Sequence, residues 1–231
     1  MDAPDIRVTH EAHAFVRPAD ISRGPTPLIE IKGLDAGPCR ILAKLEYLNP
    51  TGSIKDRVAA ELIADAEASG RLRPGMTIVE GSSGNATIAI GAVARRRGYD
   101  VLALLPRAIT EEKRRLHEAM GVRCEFFSPD PDRPFVNVRR EAAVATAAAE
   151  PDKYCCFDQF ANPVNIRAHE RGTGAEIWRQ VRQLGGGIDN YFAGAGTGGS
   201  LVGVSRALKR PGRLPRMQVT MVDPVGSTLA D

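Results

Sequence analysis

From residue 40 onward the apolar positions follow two alternating periods. Short apolar runs at Arg40–Glu46, Thr77–Glu80, Val101–Leu105, Val122–Phe127, Tyr154–Phe157, Asn190–Ala193 and Met217–Val222 read as strands. Between them lie stretches with helical spacing. Ile54–Ser69 is stopped by Gly70, and Asn85–Arg97 is closed by Gly98. Glu111–Met120 is capped by Thr110 and followed by Gly121. Phe135–Ala149, Pro163–His169, Thr173–Leu184 and a segment from Gly198 complete the helical set. Strictly alternating strands and helices predict an α/β fold with parallel sheets joined by right-handed crossovers. The polar arm up to Gly24 is expected to be disordered in part or to wrap a partner.

Composition narrows the function classes. The 231 residues are 43% hydrophobic and 26% charged, an ordinary globular balance. A net charge of +3, spread along the chain, argues against nucleic acid as a partner. The one dense basic cluster, Arg95-Arg96-Arg97, closes a helix, where cations complement the dipole. No apolar run reaches the roughly 18 residues a membrane helix needs. Met1–Ala19, with His10 and His13, lacks the apolar core of a signal peptide, so a cytoplasmic location is expected. Cys39, Cys124, Cys155 and Cys156 have no metal-type spacing, and the four histidines are scattered. Hence no metal site is expected. Cys155 and Cys156 read as small packing residues in a buried strand.

Chemistry enters at Asn49-Pro50-Thr51-Gly52-Ser53-Ile54-Lys55-Asp56-Arg57. The turn-forming residues end a strand, and Ser53 is placed to cap a helix carrying Lys55 in its first turn. A cation is misplaced at the positive end of a helix dipole. That field, with burial, lowers an amine pKa and favours a neutral, nucleophilic nitrogen. Only six of the 31 basic residues are lysine. Arginine cannot form an imine with an aldehyde, whereas lysine can. Asp56 and Arg57 read as helix-surface or structurally paired residues.

Two further segments fall at strand-to-helix turns, where α/β sheets place ligands. Glu80-Gly81-Ser82-Ser83-Gly84-Asn85-Ala86-Thr87 offers hydroxyls, an amide and backbone N–H groups at a helix start, suited to a carboxylate. Gly194-Ala195-Gly196-Thr197-Gly198-Gly199-Ser200 lets the backbone approach a phosphate closely. The latter also fits GxGxxG through Gly194, Gly196 and Gly199, and Asp223 follows the next strand. Those features alone favour a nicotinamide-dependent oxidoreductase, which leaves Lys55 and Ser82–Asn85 without a task.

Lysine, carboxylate loop and phosphate loop, in that order, resemble the fold-type II pyridoxal-phosphate enzymes. Within them the chain is similar to the cysteine synthase and cystathionine β-synthase family. Gly24-Pro25-Thr26-Pro27-Leu28 resembles that family's Thr-Pro-Leu segment. Asn49–Arg57 resembles its lysine motif. Gln159-Phe160-Ala161-Asn162-Pro163-Val164-Asn165, with His169 and Gly172–Ile177 beyond, resembles its Gln-Phe-x-Asn-Pro region. The resemblance implies pyridoxal 5'-phosphate as cofactor, with Lys55 as the catalytic residue in imine linkage to it. It further implies Asn85 at the ring oxygen and Gly196, Thr197, Gly198, Gly199 and Ser200 around the phosphate. Ser82, Ser83, Asn85 and Gln159 are implied to receive the substrate carboxylate.

The implied fold is tryptophan synthase β-subunit-like, with two parallel-sheet domains. Residues 1–47 form the arm and first part of the larger domain, 48–160 the smaller mobile domain, and 161–231 the remainder of the larger. The cofactor is expected in the cleft between them. The implied reaction is β-replacement on an O-activated serine, O-acetylserine or O-phosphoserine, through an aminoacrylate. The partners are then an amino-acid substrate, a small nucleophile and a second copy in a homodimer. An amine nucleophile giving a diaminopropionate-type precursor, a serine or threonine dehydratase, and a non-catalytic homologue stay open. Two departures stand out. Ala86 and Thr87 occupy positions that are Thr and Gly in the family loop. The family's C-terminal part has no counterpart after Asp231. A sheet ending there is expected to leave an apolar face uncovered. An incomplete sequence, a natural truncation and completion by a partner chain each account for it.

Overall fold

A computed structural model describes residues 24–34, 37–82, 84–107, 109–127 and 135–227, with residues 135–137 described as backbone only. The arm before Gly24, Ser83 and residues 128–134 lie outside the described residues. In order, the elements are β1 (Leu28–Ile31), β2 (Ile41–Lys44), α1 (Lys55–Ala68), β3 (Thr77–Glu80), α2 (Asn85–Arg96) and β4 (Asp100–Pro106). They continue with α3 (Glu111–Ala119), β5 (Val122–Phe127), α4 (Phe135–Ala149), β6 (Tyr154–Cys155) and α5 (Val164–Arg171). Last come α6 (Thr173–Gln183), β7 (Asn190–Gly194), α7 (Gly199–Leu208) and β8 (Gln218–Val222). The chain divides into two units, one continuous over Ser53–Val164 and one made of Met1–Gly52 with Asn165–Asp231.

The continuous unit is a four-stranded sheet of order β5-β4-β3-β6, parallel throughout. Its inner strands are covered on both faces, which explains the unbroken apolar run Val101–Leu105, every residue of which is buried. In α1, Val58, Leu62, Ile63 and Ala66 recur at helical spacing and are buried. Asp56 and Arg57 are also buried, at 2% and 5% exposure, so of the two alternatives read for them the helix surface is excluded and structural pairing stays. Thr110 caps α3, its side chain accepting the Lys113 N–H at 3.4 Å.

β6 is shorter than the expected Tyr154–Phe157. Its pairing with β3 stops after Thr77↔Tyr154 and Ile78↔Cys155. Beyond that point the Phe157 N–H donates to Glu80 Oε1 at 2.9 Å, so a side chain replaces the next strand carbonyl and the backbone leaves the sheet.

The second unit carries the parallel pair β7–β8 and an antiparallel pair, Leu28↔Lys44 to Ile31↔Ile41, between β1 and β2. The alternation read from residue 40 does not include β1, a four-residue run directly after Pro27. Leu28, Ile177, Val181, Val204, Leu208 and Met217 form the core. Beside it lies a polar knot. Lys44 Nζ donates to Glu176 Oε2 at 2.8 Å, to Gln180 Oε1 at 2.9 Å and to the Thr26 carbonyl. Gln180 Nε2 reaches the same carbonyl at 2.8 Å, and the Thr26 hydroxyl donates to Glu46 Oε1 at 2.6 Å. Thr26, of the Thr-Pro-Leu segment, thus anchors β1 and β2 to α6. On β7 and β8, Phe192 and Val222 are 62% and 56% exposed.

Two stability outcomes follow from these buried charges. Lys44→Ala leaves the Glu176 carboxylate buried without its ammonium, and should lower unfolding free energy by about 3 kcal/mol in urea titration. A loss below about 1 kcal/mol would show that the pair is solvated in practice. Glu80 behaves in the opposite sense. Burial, with the nearby Asp158 charge, lifts its carboxyl from 4.5 to about 7, against the Phe157 and Asp158 N–H groups that lower it. A folded pKa above the unfolded one means the contribution is full below about pH 4.5 and declines as pH rises to about 7. The decline is on the order of 3 kcal/mol. Glu80→Gln should therefore gain stability relative to the parent between pH 4.5 and pH 8, and parallel pH curves would contradict the assignment.

Candidate active site

Lys55 is the first residue of α1, where the sequence placed it. The entry differs in detail. Ile54, in helical conformation, is the cap residue, and Ser53 Oγ accepts the Lys55 N–H at 3.3 Å instead of a later one. The Lys55 amine is lowered below the ordinary lysine range by burial. Its Nζ donates to Gln159 Oε1 at 3.1 Å, and Gln159 is only 5% exposed. Two residues named from separate motifs, 104 positions apart, therefore meet inside one unit.

The carboxylate-type loop joins β3 to α2 in the same unit. Ser82 Oγ accepts the Gly84 N–H at 3.4 Å, which leaves the serine proton for another partner. Asn85 opens α2 and is exposed. The cap residue Gly84 makes no side-chain cap bond, so the helix start depends on other partners for its N–H groups. Thr87, one of the two departures, is fully buried, and its hydroxyl donates to the Ser82 carbonyl at 2.8 Å. The extra side chain ties the loop to the first turn of the helix. Ser83 lies outside the described residues.

The Gly-rich segment runs from the end of β7 into α7, in the second unit. Gly198 is the cap residue of α7 with φ +75°, a left-handed conformation that a side chain penalises. A Cβ there, or on Gly196, would meet no atom within 4 Å. Gly199 has none: its Cβ would fall 2.1 Å from Asn165 Oδ1. Asn165 packs under the loop and donates from Nδ2 to Thr197 Oγ1 at 2.8 Å, and Gly199 N–H donates to the same oxygen at 3.4 Å. With both acceptor positions taken, the Thr197 hydroxyl is left to donate outward. A helix start without a side-chain cap plus an outward donor suits a phosphate. The donor set thus fits a phosphorylated aldehyde: phosphate donors in this loop, and a buried amine of lowered basicity at Lys55.

Sequence reading missed Asn165 as a support of the loop, although it quoted the residue, because the contact spans 32 positions. Asp223 follows β8, and its Oδ2 is shut off from solvent without a hydrogen-bond donor among the described residues. Among the described residues no group of three or more His, Cys, Asp or Glu is arranged to hold a metal. No described helix is long and apolar enough to cross a membrane.

Comparison with known proteins bears on the same residues. A family model described as "Pyridoxal-phosphate dependent enzyme" matches residues 20–230. Cysteine synthase A of Escherichia coli (strain K12) is 40% identical over 186 residues, covering 80% of this chain and 55% of the relative. The crystal structure of an O-ureido-L-serine synthase superposes with a TM-score of 0.80 at 32% identity, covering 90% of this chain and 63% of the other. Cysteine synthase from Entamoeba histolytica gives 0.80 at 31% identity, covering 94% and 63%. The chain thus spans between half and two thirds of the length of these relatives. The family match sets aside the nicotinamide reading of Gly194, Gly196 and Gly199. Motif order, lysine environment and a match along nearly the whole chain converge: the chain belongs to the pyridoxal-phosphate-dependent enzymes, of the cysteine synthase type and fold-type II.

Proposed function

We propose that this chain carries the lysine and the phosphate loop of an enzyme that replaces the β-substituent of an O-activated serine. The observation that carries the reading is the Lys55 amine, buried, lowered in basicity and held 3.1 Å from Gln159 Oε1. Pyridoxal phosphate, when bound, supplies an aldehyde for an amine and an electron-withdrawing ring that stabilises charge at the substrate α-carbon. Lys55 and Asn85, in the continuous unit, would meet its aldehyde and ring oxygen. Gly196, Thr197, Gly198, Gly199 and Ser200, in the other, would hold its phosphate.

The chain's own residues then have separable tasks. Lys55 Nζ, whose charged form is disfavoured by burial, accepts the α-proton. Gln159 keeps Oε1 toward that amine and stands beside Lys55 as a residue that receives the substrate carboxylate. Ser82, Ser83 and Asn85 supply further donors to that carboxylate. Ala86 removes one hydroxyl from the loop relative to the family pattern, and the Thr87 strap fixes what remains. Cysteine and O-ureido-L-serine, which the relatives are named for, both carry a heteroatom on an alanine β-carbon. This supports β-replacement as the class and leaves sulfide, a thiol or an amine as the nucleophile. A homodimer and a cytoplasmic location are part of the same reading.

Borohydride reduction tests it directly. The parent should gain the mass of the reduced cofactor on Lys55 and lose its visible absorbance. Lys55→Ala should show neither while melting at nearly the parental temperature. A chromophore unchanged in Lys55→Ala would remove the assignment. Gly198→Val should weaken cofactor binding about tenfold, because a β-branched residue in a left-handed conformation costs roughly 1–2 kcal/mol. Titration followed by absorbance measures this, and parental affinity would show that the loop does not hold the phosphate.

A further inference from the structure

Asp158 is, among the described residues, the one non-glycine with positive φ, at 46°. A left-handed conformation is uncommon for a residue with a Cβ, although aspartate and asparagine adopt it more readily than most, and the contacts around Asp158 hold it there. Here they come from three directions. Arg140, on α4, grips the Asp158 carboxylate with both ends of its fork, Nε to Oδ1 at 2.6 Å and Nη2 to Oδ2 at 2.7 Å. Glu80, at the end of β3, holds the preceding N–H, that of Phe157, at 2.9 Å. On the far side, the Ala161 and Asn162 N–H groups return to the Asp158 carbonyl at 3.1 and 2.9 Å. Asn162 Nδ2 closes the loop on the Phe157 carbonyl at 2.9 Å.

Gln159 is the first residue inside this closed turn, followed by Phe160. Reversing φ at Asp158 turns the chain, so the side chain of the next residue leaves the direction β6 would have given it. We propose that the Arg140–Asp158 pair is a positioning device that aims the Gln159 amide at the Lys55 amine. Neither residue touches the reacting atoms; both act through Gln159. The inference rests on the proposed roles of Lys55 and Gln159, and deepens them. A bidentate pair suits this work because its planar geometry fixes direction as well as distance.

The experiment is a double-mutant cycle on cofactor-free protein, with the acylation rate of Lys55 read by mass spectrometry. As an acceptor, the Gln159 oxygen favours the ammonium over the free amine that is acylated, so its loss should raise that rate. Gln159→Ala should raise Lys55 labelling about fivefold, the weight of one hydrogen bond. Asp158→Ala and Arg140→Ala should do the same, and in a Gln159→Ala background should add nothing. Asp158→Gly, which adopts positive φ freely, should stay nearer the parent than Asp158→Ala. If Asp158→Ala does not fold, Asp158→Asn, which tolerates the left-handed region, carries the same cycle. Additive effects of Asp158 and Gln159, or parental labelling in Asp158→Ala and Arg140→Ala, would overturn the proposal. Failure of the functional reading looks different: the borohydride-fixed mass would persist in Lys55→Ala whatever the labelling cycle gives.

Discussion

Two parallel strands, β3 and β6, share only two register pairs before their backbones part, and the Glu80 carboxyl fills the gap between them. A buried N–H that leaves a ladder must find another acceptor. Here the acceptor is an ionisable side chain at the strand end, whose basicity burial raises. That substitution frees the chain at Phe157 to turn instead of continuing as a strand. Everything this unit brings to Lys55 from the far end of its sequence depends on that departure. Had β6 run on to Phe157, Gln159 would follow a strand end and not a turn closed on itself.

The two units solve the burial of polar groups in different ways. In one, Lys44, Glu176, Gln180 and Thr26 bury a full charge pair and satisfy it with several short contacts. In the other, a single carboxyl is buried between backbone groups with the Asp158 charge nearby. The first arrangement has its cation and anion on separate elements and joins them. The second has no cation among the causes of its shift, and is correspondingly sensitive to protonation.

What the sequence made legible was local. Lys55 stood out because turn residues precede it and a helical period follows; both are read within a dozen positions. The Gly194–Ser200 segment was legible for the same reason, since glycine signals backbone geometry directly. The strand β1 was not, because four residues after a proline give no period to measure. For Asp56 and Arg57 the sequence left surface exposure and structural pairing open, because charge usually means exposure, and tertiary packing buried both. Glu80, Arg140 and Asp158 carried no local signal. Their partners lie 77 and 18 positions away, and no periodicity reports such a pairing. Gln159 was legible as a residue through its motif, but its contact with Lys55 was not.

The polar knot around Lys44 has a consequence for the order in which the chain can fold as it is synthesised. Its members Thr26 and Lys44 are made early, while Glu176 and Gln180 come 132 to 154 positions later. The antiparallel pair β1–β2 therefore emerges from the ribosome with a buried-type ammonium and no counter-charge. The intervening unit is continuous in sequence, carries its own sheet and core, and can close first. Its folding draws the two ends of the insertion together, so that the loop the knot must close is no longer a flexible tether of full length. A long-range salt bridge thus acts as a late latch, engaged only after the segment between its halves has become compact.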